Sequence, residues 1–242
     1  MSTKQHYIEV RGLPIEIVRK DIKNLHVGVY PPVGRVRIAA PLRLNDEAVR
    51  LAVISRLGWI RRQQANFNQQ QRQSPREFST GESHYFQGRR YRLNVIEHDG
   101  TALVHLANNR TINLFVAAGT NGEKRETVLQ QWYRGQLRKQ IPSLLAKWQA
   151  RIGVTVSEVR IRKMKTRWGS CNSLAGRIWL NVELAKKSPS CLEYILVHEM
   201  IHLIERCHNQ RFRLLIDTVM PTWRLHREEL NRAPLAHEEW KY

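Results

Sequence analysis

The sequence predicts an α+β chain. Three observations carry that prediction. Apolar residues in the first half alternate in short β-branched runs, whereas those in the second half recur at helical spacing. Gly, Pro and Asp-Gly breaks cut the first half into strand-length pieces. The 242 residues are 42% hydrophobic, enough to bury a core.

In chain order, Ile15–Val18, His26–Val29 and Arg35–Ile38 read as strands, punctuated by Gly12, Pro31, Pro32 and Gly34. Asn45-Asp46 reads as a helix cap, followed by Val49, Ala52, Val53, Leu57 and Ile60 at helical spacing. The Gln-rich run Asn66–Ser74 reads as a loop. Tyr91–Val95 and Ala102–Leu106 flank His98-Asp99-Gly100, a hairpin turn signal, and Thr111–Phe115 adds a strand. The first half is thus expected to be a mostly antiparallel sheet with one helix. A long helix follows from about Lys124 to Ile152, with Pro142 expected to kink or divide it. Val156–Arg162 reads as a strand and Gly176–Asn181 as its hairpin neighbour, with the polar segment Lys165–Cys171 between them. A helix opens after Ser188-Pro189, another carries Phe212, Leu215, Ile216 and Val219, and a last one spans about Trp223–Asn231. Two domains are expected, 1–122 rich in β-structure and 123–242 carrying a β-hairpin edge and the chemistry.

Forty Lys and Arg against twenty-one Asp and Glu give a formal net charge of +19, spread over both halves. A detachable basic arm is excluded, and the cationic surface admits anionic partners, nucleic acid among them. Tyr85, Phe86 and Tyr91 in the basic first half are candidates for stacking on bases. No apolar stretch reaches the roughly 20 residues of a membrane span. Three cysteines without a CxxC pair, and an N-terminus without a secretory apolar core, lead us to expect a cytoplasmic protein with reduced thiols.

The sharpest motif is His198-Glu199-Met200-Ile201-His202. On a helix, His198 and His202 lie on one face and reach one cation, and Glu199 stands beside it, placed to take a proton from water. Ile195–Val197 and Ile201–Ile204 would bury this helix. Three protein ligands are usual at a catalytic zinc, and His208 is the favoured third. That choice requires the helix to break near Glu205–His208, with Asn209 a candidate left-handed residue. Glu205 is the rival ligand, and Cys207 is a soft donor that would suit a structural site. Zn²⁺ is the expected ion, with Mn²⁺ or Ni²⁺ as alternatives.

Three stretches resemble the YgjP-like metal-dependent hydrolases, which are related to the SprT-like zinc peptidases. They are Arg167-Trp-Gly-Ser-Cys171 with Ile178-Trp-Leu-Asn181, Val197-His-Glu-Met-Ile-His202 with His208, and Asn24–Val29 through Gly58–Arg62. Cys207 and Asn209 depart from the Asn and Ser common around the third histidine. The resemblance implies a zincin-like second half, with metal on His198, His202 and His208 and Glu199 as general base. Arg167 and Trp168 are candidate substrate-binding residues, on an edge strand to which an extended peptide adds. The expected activity is that of a metallopeptidase. The alternatives are a nucleoside triphosphate pyrophosphatase using the same site, or a nucleic-acid-associated protein with accessory peptidase activity.

Overall fold

The computed structural model describes residues 5–30, 34–69, 77–164 and 167–232. Its α+β architecture has three small sheets and helices concentrated in the second half. The described residues form two compact units, one ending at residue 69 and one starting at 77.

In the first unit, strands β1 (Gln5–Val10), β2 (Leu13–Lys20), β3 (His26–Tyr30) and β4 (Arg35–Pro41) order as β1-β2-β4-β3. Arg11 and Gly12, at φ +49° and +78°, make the β1–β2 turn. The β1–β2 and β3–β4 pairs are antiparallel, as expected for most of the sheet, and the β2–β4 pair is parallel, so the sheet is mixed. The expected single helix is two, α1 (Asp46–Ile54) and α2 (Leu57–Gln69), separated at Ser55-Arg56. Asn45 caps α1, its Oδ1 accepting from the Ala48 N–H at 2.9 Å. Val49, Val53, Leu57 and Ile60 pack with Val10, Ile15, Ile17, Val36 and Ile38 into one core. Of the Gln-rich run, residues to Gln69 continue α2, and the rest lies outside the described residues.

The second unit opens with β5 (Ser83–Phe86), β6 (Arg89–Glu97), β7 (Leu103–Asn108) and β8 (Thr111–Val116), ordered β5-β6-β8-β7. The turn at His98-Asp99-Gly100 does not close a hairpin. β8 lies between β6 and β7, parallel to β6 and antiparallel to β7. Helix α3 (Gly122–Ile152) covers this sheet and runs unbroken through Pro142. Its Leu129, Tyr133 and Leu137 share one core with Tyr91, Leu93, Ile112 and Leu114 of the sheet and with the helices that follow. The boundary expected at 122/123 is therefore displaced to between 69 and 77: the strands of 83–116 have their apolar face covered by α3 and fold with it.

Beyond α3, strands β9 (Glu158–Arg162), β10 (Gly169–Asn172) and β11 (Arg177–Asn181) order as β10-β11-β9. The hairpin is β10–β11, and β9 pairs with β11 in parallel, so β10 takes the outer edge. A short 3-10 helix (Val182–Lys186) leads to α4 (Pro189–Ile201), α5 (Gln210–Val219) and α6 (Trp223–Arg232). Among the described residues no helix is long and apolar enough to cross a membrane.

Candidate metal centre

Helix α4 is buried on nearly every side: Leu192, Ile195, Leu196, Val197, Met200 and Ile201 are each at most 6% exposed. Pro189 opens it at a position that needs no N–H donor. In such surroundings, polar side chains need partners. His198 and Glu199 sit in its last turn, and His202 is its C-cap, with φ −65° and ψ −12°. The chain then leaves the helix through a tight turn, Leu203 N–H donating to Met200 O at 3.0 Å and Ile204 N–H to Ile201 O at 2.9 Å.

This turn swings His208 back toward the helix. His208 Nε2 faces His198 Nε2 at 2.9 Å and His202 Nε2 at 3.1 Å. The break comes earlier than the sequence suggested, directly after His202. Asn209 supplies no left-handed turn. At φ −83° and ψ −170° it is extended, and it caps α5 by accepting from the Phe212 N–H at 3.0 Å. Glu205, the rival ligand, is outside the cluster. Its carboxylate accepts from the Cys207 N–H at 3.1 Å, and that bond, with Asn209 nearby, holds its pKa below the usual value. Its carbonyl does serve the site, because His202 Nδ1 donates to Glu205 O at 2.9 Å. A carbonyl only accepts, so Nδ1 carries the proton and Nε2 presents a lone pair.

These residues fit a divalent cation. Three imidazole nitrogens converge on one point, and their mutual protons cannot satisfy all three. Ligand nitrogens at about 2.0–2.1 Å from a tetrahedral ion would stand roughly 3.3–3.4 Å apart, close to the spacing present. Burial, and then the neighbouring imidazoles, lower the His198 pKa to about 3, and burial also lowers that of His208. His198 is therefore neutral at physiological pH, the form that ligates. Among the described residues, this is the His, Cys, Asp and Glu cluster able to hold an ion. Cys207 is exposed and outside it, and all three cysteines are free thiols.

Glu199 is 6% exposed. Desolvation pushes its carboxyl up to about 8 against the opposing charge of Arg167. A dication beside it would favour the carboxylate again. Edge strand β10 passes so close that a Cβ on Gly169 would stand 2.5 Å from Glu199 Oε1. The glycine of the Arg-Trp-Gly-Ser-Cys run is thus needed for the approach of strand to carboxylate, not for a turn. Gly169→Ala is expected to keep the metal content but lower kcat at least about tenfold, since small misplacements of a reacting group are costly. Unchanged kcat in a stopped assay with matched metal loading would contradict this.

Arg167 is exposed and Trp168 half-buried, both on a groove of about 930 Å³ that also contains His198, Glu199, His202 and His208. Every site residue expected from the sequence therefore lines one groove. Two contributors were not foreseen. Phe212, expected only as a core member, lies under all three imidazoles, with ring centroids 4.7–5.0 Å away. Asn181, 4% exposed, pins the strand start: its Nδ2 donates to Arg167 O at 2.8 Å and Met164 O at 2.9 Å, and its N–H to Trp168 O at 2.9 Å. A buried amide at the end of a strand is the signal that marks it. Phe86 and Tyr91, offered as stacking platforms, are core residues 4% and 6% exposed, because their strand faces point at α3. Tyr85 is half-buried.

No curated protein matches the chain. Among solved structures it is similar to the crystal structure of a metallopeptidase zymogen, abylysin of Pyrococcus abyssi. The identity is 26%, over 38% of this chain and 90% of that one, with a TM-score of 0.34. The family model of the YgjP-like metallopeptidase domain matches residues 23–233, a span that takes in the histidine cluster, Glu199 and the strand above them. By that match the chain belongs to the YgjP-like metallopeptidase family.

Proposed function

We propose that the chain hydrolyses peptide bonds with a zinc ion held by His198, His202 and His208 and with Glu199 as general base. The observation that carries this is the convergence of three Nε2 atoms beside a buried carboxylate, under the outer edge of β10. When bound, zinc supplies Lewis acidity, polarising the scissile carbonyl and acidifying water. Glu199 takes the proton of the attacking water at its carboxylate and delivers it to the leaving amine. Among the described residues β10 pairs on one side only, with β11, and an extended peptide aligns on its other side as an added strand. Trp168 walls the groove, and Arg167, on the same groove and with its charge felt at Glu199, stabilises charge developing on the carbonyl oxygen. Phe212 closes the floor under the imidazoles and keeps water from that side.

The pyrophosphatase alternative uses the same imidazoles but leaves the strand edge without a role. Two substrates offered in parallel separate the readings. Zinc-loaded protein is expected to cut a reduced, unfolded protein into peptides identifiable by mass spectrometry. The cutting should stop with chelator and return with zinc. Pyrophosphate release from nucleoside triphosphates, with no cut peptides, would overturn the peptidase reading.

A further inference from the structure

Several arginines away from the groove are ion-paired. Arg37 meets Glu16, Arg160 and Arg177 meet Glu158, and Arg224 meets Asp217. Arg167, Arg206 and Arg227, which line the groove, have no carboxylate at ion-pair distance among the described residues. Among the described residues, the one acidic side chain lining the groove is Glu199, which the reaction itself uses. The three arginines come from separate elements and surround the site. Arg167 leads into β10, and its charge reaches Glu199. Arg206 sits in the turn between His202 and His208. Arg227 projects from α6, and its charge reaches Tyr194, His198 and His208. Arg167 is held at its carbonyl by buried Asn181, so its position is fixed at the backbone.

Guanidiniums without a carboxylate partner among the described residues, around an aligning strand edge, are complementary to one kind of extended chain. We infer that the groove selects peptide segments with acidic side chains flanking the scissile bond, through Arg206 and Arg227 in addition to Arg167. This rests on the peptidase reading. Guanidiniums pair with carboxylates in a fork geometry that amides do not match. Charges on the rim of a groove act on capture and fade with salt.

The test uses a short unstructured peptide with Asp and Glu flanking an Ala-Leu bond, and its twin with Asn and Gln in their place. At low salt the zinc-loaded protein is expected to show a kcat/KM about tenfold higher for the acidic peptide, as several weak exposed pairs acting together would give. The ratio should shrink toward unity at high salt. Combined Arg206→Gln and Arg227→Gln should bring it within about twofold, and the single variants to intermediate values. Arg160→Gln, at a site paired with Glu158 and off the groove, should leave the ratio at the wild-type value. Equal cutting of the twins, or a preference that survives the double substitution, overturns the inference while the peptidase reading stands. If neither peptide is cut, the peptidase reading fails for them. Fluorescence anisotropy of both peptides on the Glu199→Gln protein then decides the selectivity: tighter, salt-sensitive binding of the acidic twin supports it, and equal binding overturns it.

Discussion

Glu199→Gln is expected to lower kcat by about 10²–10⁴ while the protein keeps its ion, the span that a positioned proton-transfer group commonly contributes. The substitution is close to isosteric, so the contact with β10 at Gly169 survives and the groove keeps its shape. Only the ability to hold a proton is removed. KM should change little, because Glu199 is buried beneath the strand edge and the groove walls do the binding. Steady-state kinetics on the unfolded-protein substrate, with metal content measured on the same samples, checks both parts. Activity within a fewfold of wild type would remove Glu199 from the chemistry.

His202→Ala is expected to weaken ion binding by more than about 100-fold, beyond what the loss of a supporting hydrogen bond costs. The imidazole does two things. Its Nε2 joins the cluster, and its Nδ1 donates to Glu205 O, tying down the turn that returns His208. Removing it therefore takes away one ligand and loosens a second. Cys207→Ser is the contrasting variant: the thiol is exposed and outside the cluster, so ion affinity should be unchanged. Competition with a fluorescent chelator measures both. A large effect from Cys207→Ser with little from His202→Ala would point to a thiolate site instead.

Much of this site was legible in the sequence because its geometry is local. Two histidines four apart on a helix with a glutamate beside the first fix three side chains with no knowledge of the fold. His208 was harder. Its place depends on where α4 stops, and no glycine marks that point. The stop comes from the tight turn after His202 and from Asn209 capping the next helix. The roles of Gly169, Phe212 and Asn181 are long-range. Gly169 meets a carboxylate thirty residues later, and Phe212 sits under rings from α4 and the turn. Spacing within one segment carries no trace of such contacts.

The fold shows the same division. Strand and helix positions followed from periodicity, but pairing did not. Alternation tells which face of a strand is apolar and not which strand lies beside it. So the parallel β6–β8 and β9–β11 pairs replaced the two hairpins expected from sequence neighbours, and a parallel β2–β4 pair entered a sheet whose other pairs are antiparallel. The sheet of 83–116 joined the second unit because α3 covers it. Pro142 left α3 continuous, because Leu137, Ile141 and Trp148, anchored in the core on both sides of it, offset a cost of about 3 kcal/mol for the lost hydrogen bond and ring clash.

X-ray absorption at the metal edge of protein purified without added chelator tests the central claim most directly. The expected spectrum has a single zinc per chain with imidazole nitrogens at about 2.0–2.1 Å, lost in the His202→Ala protein. A sulfur neighbour in the shell, or a protein that retains no ion under conditions where the imidazoles are neutral, would contradict it.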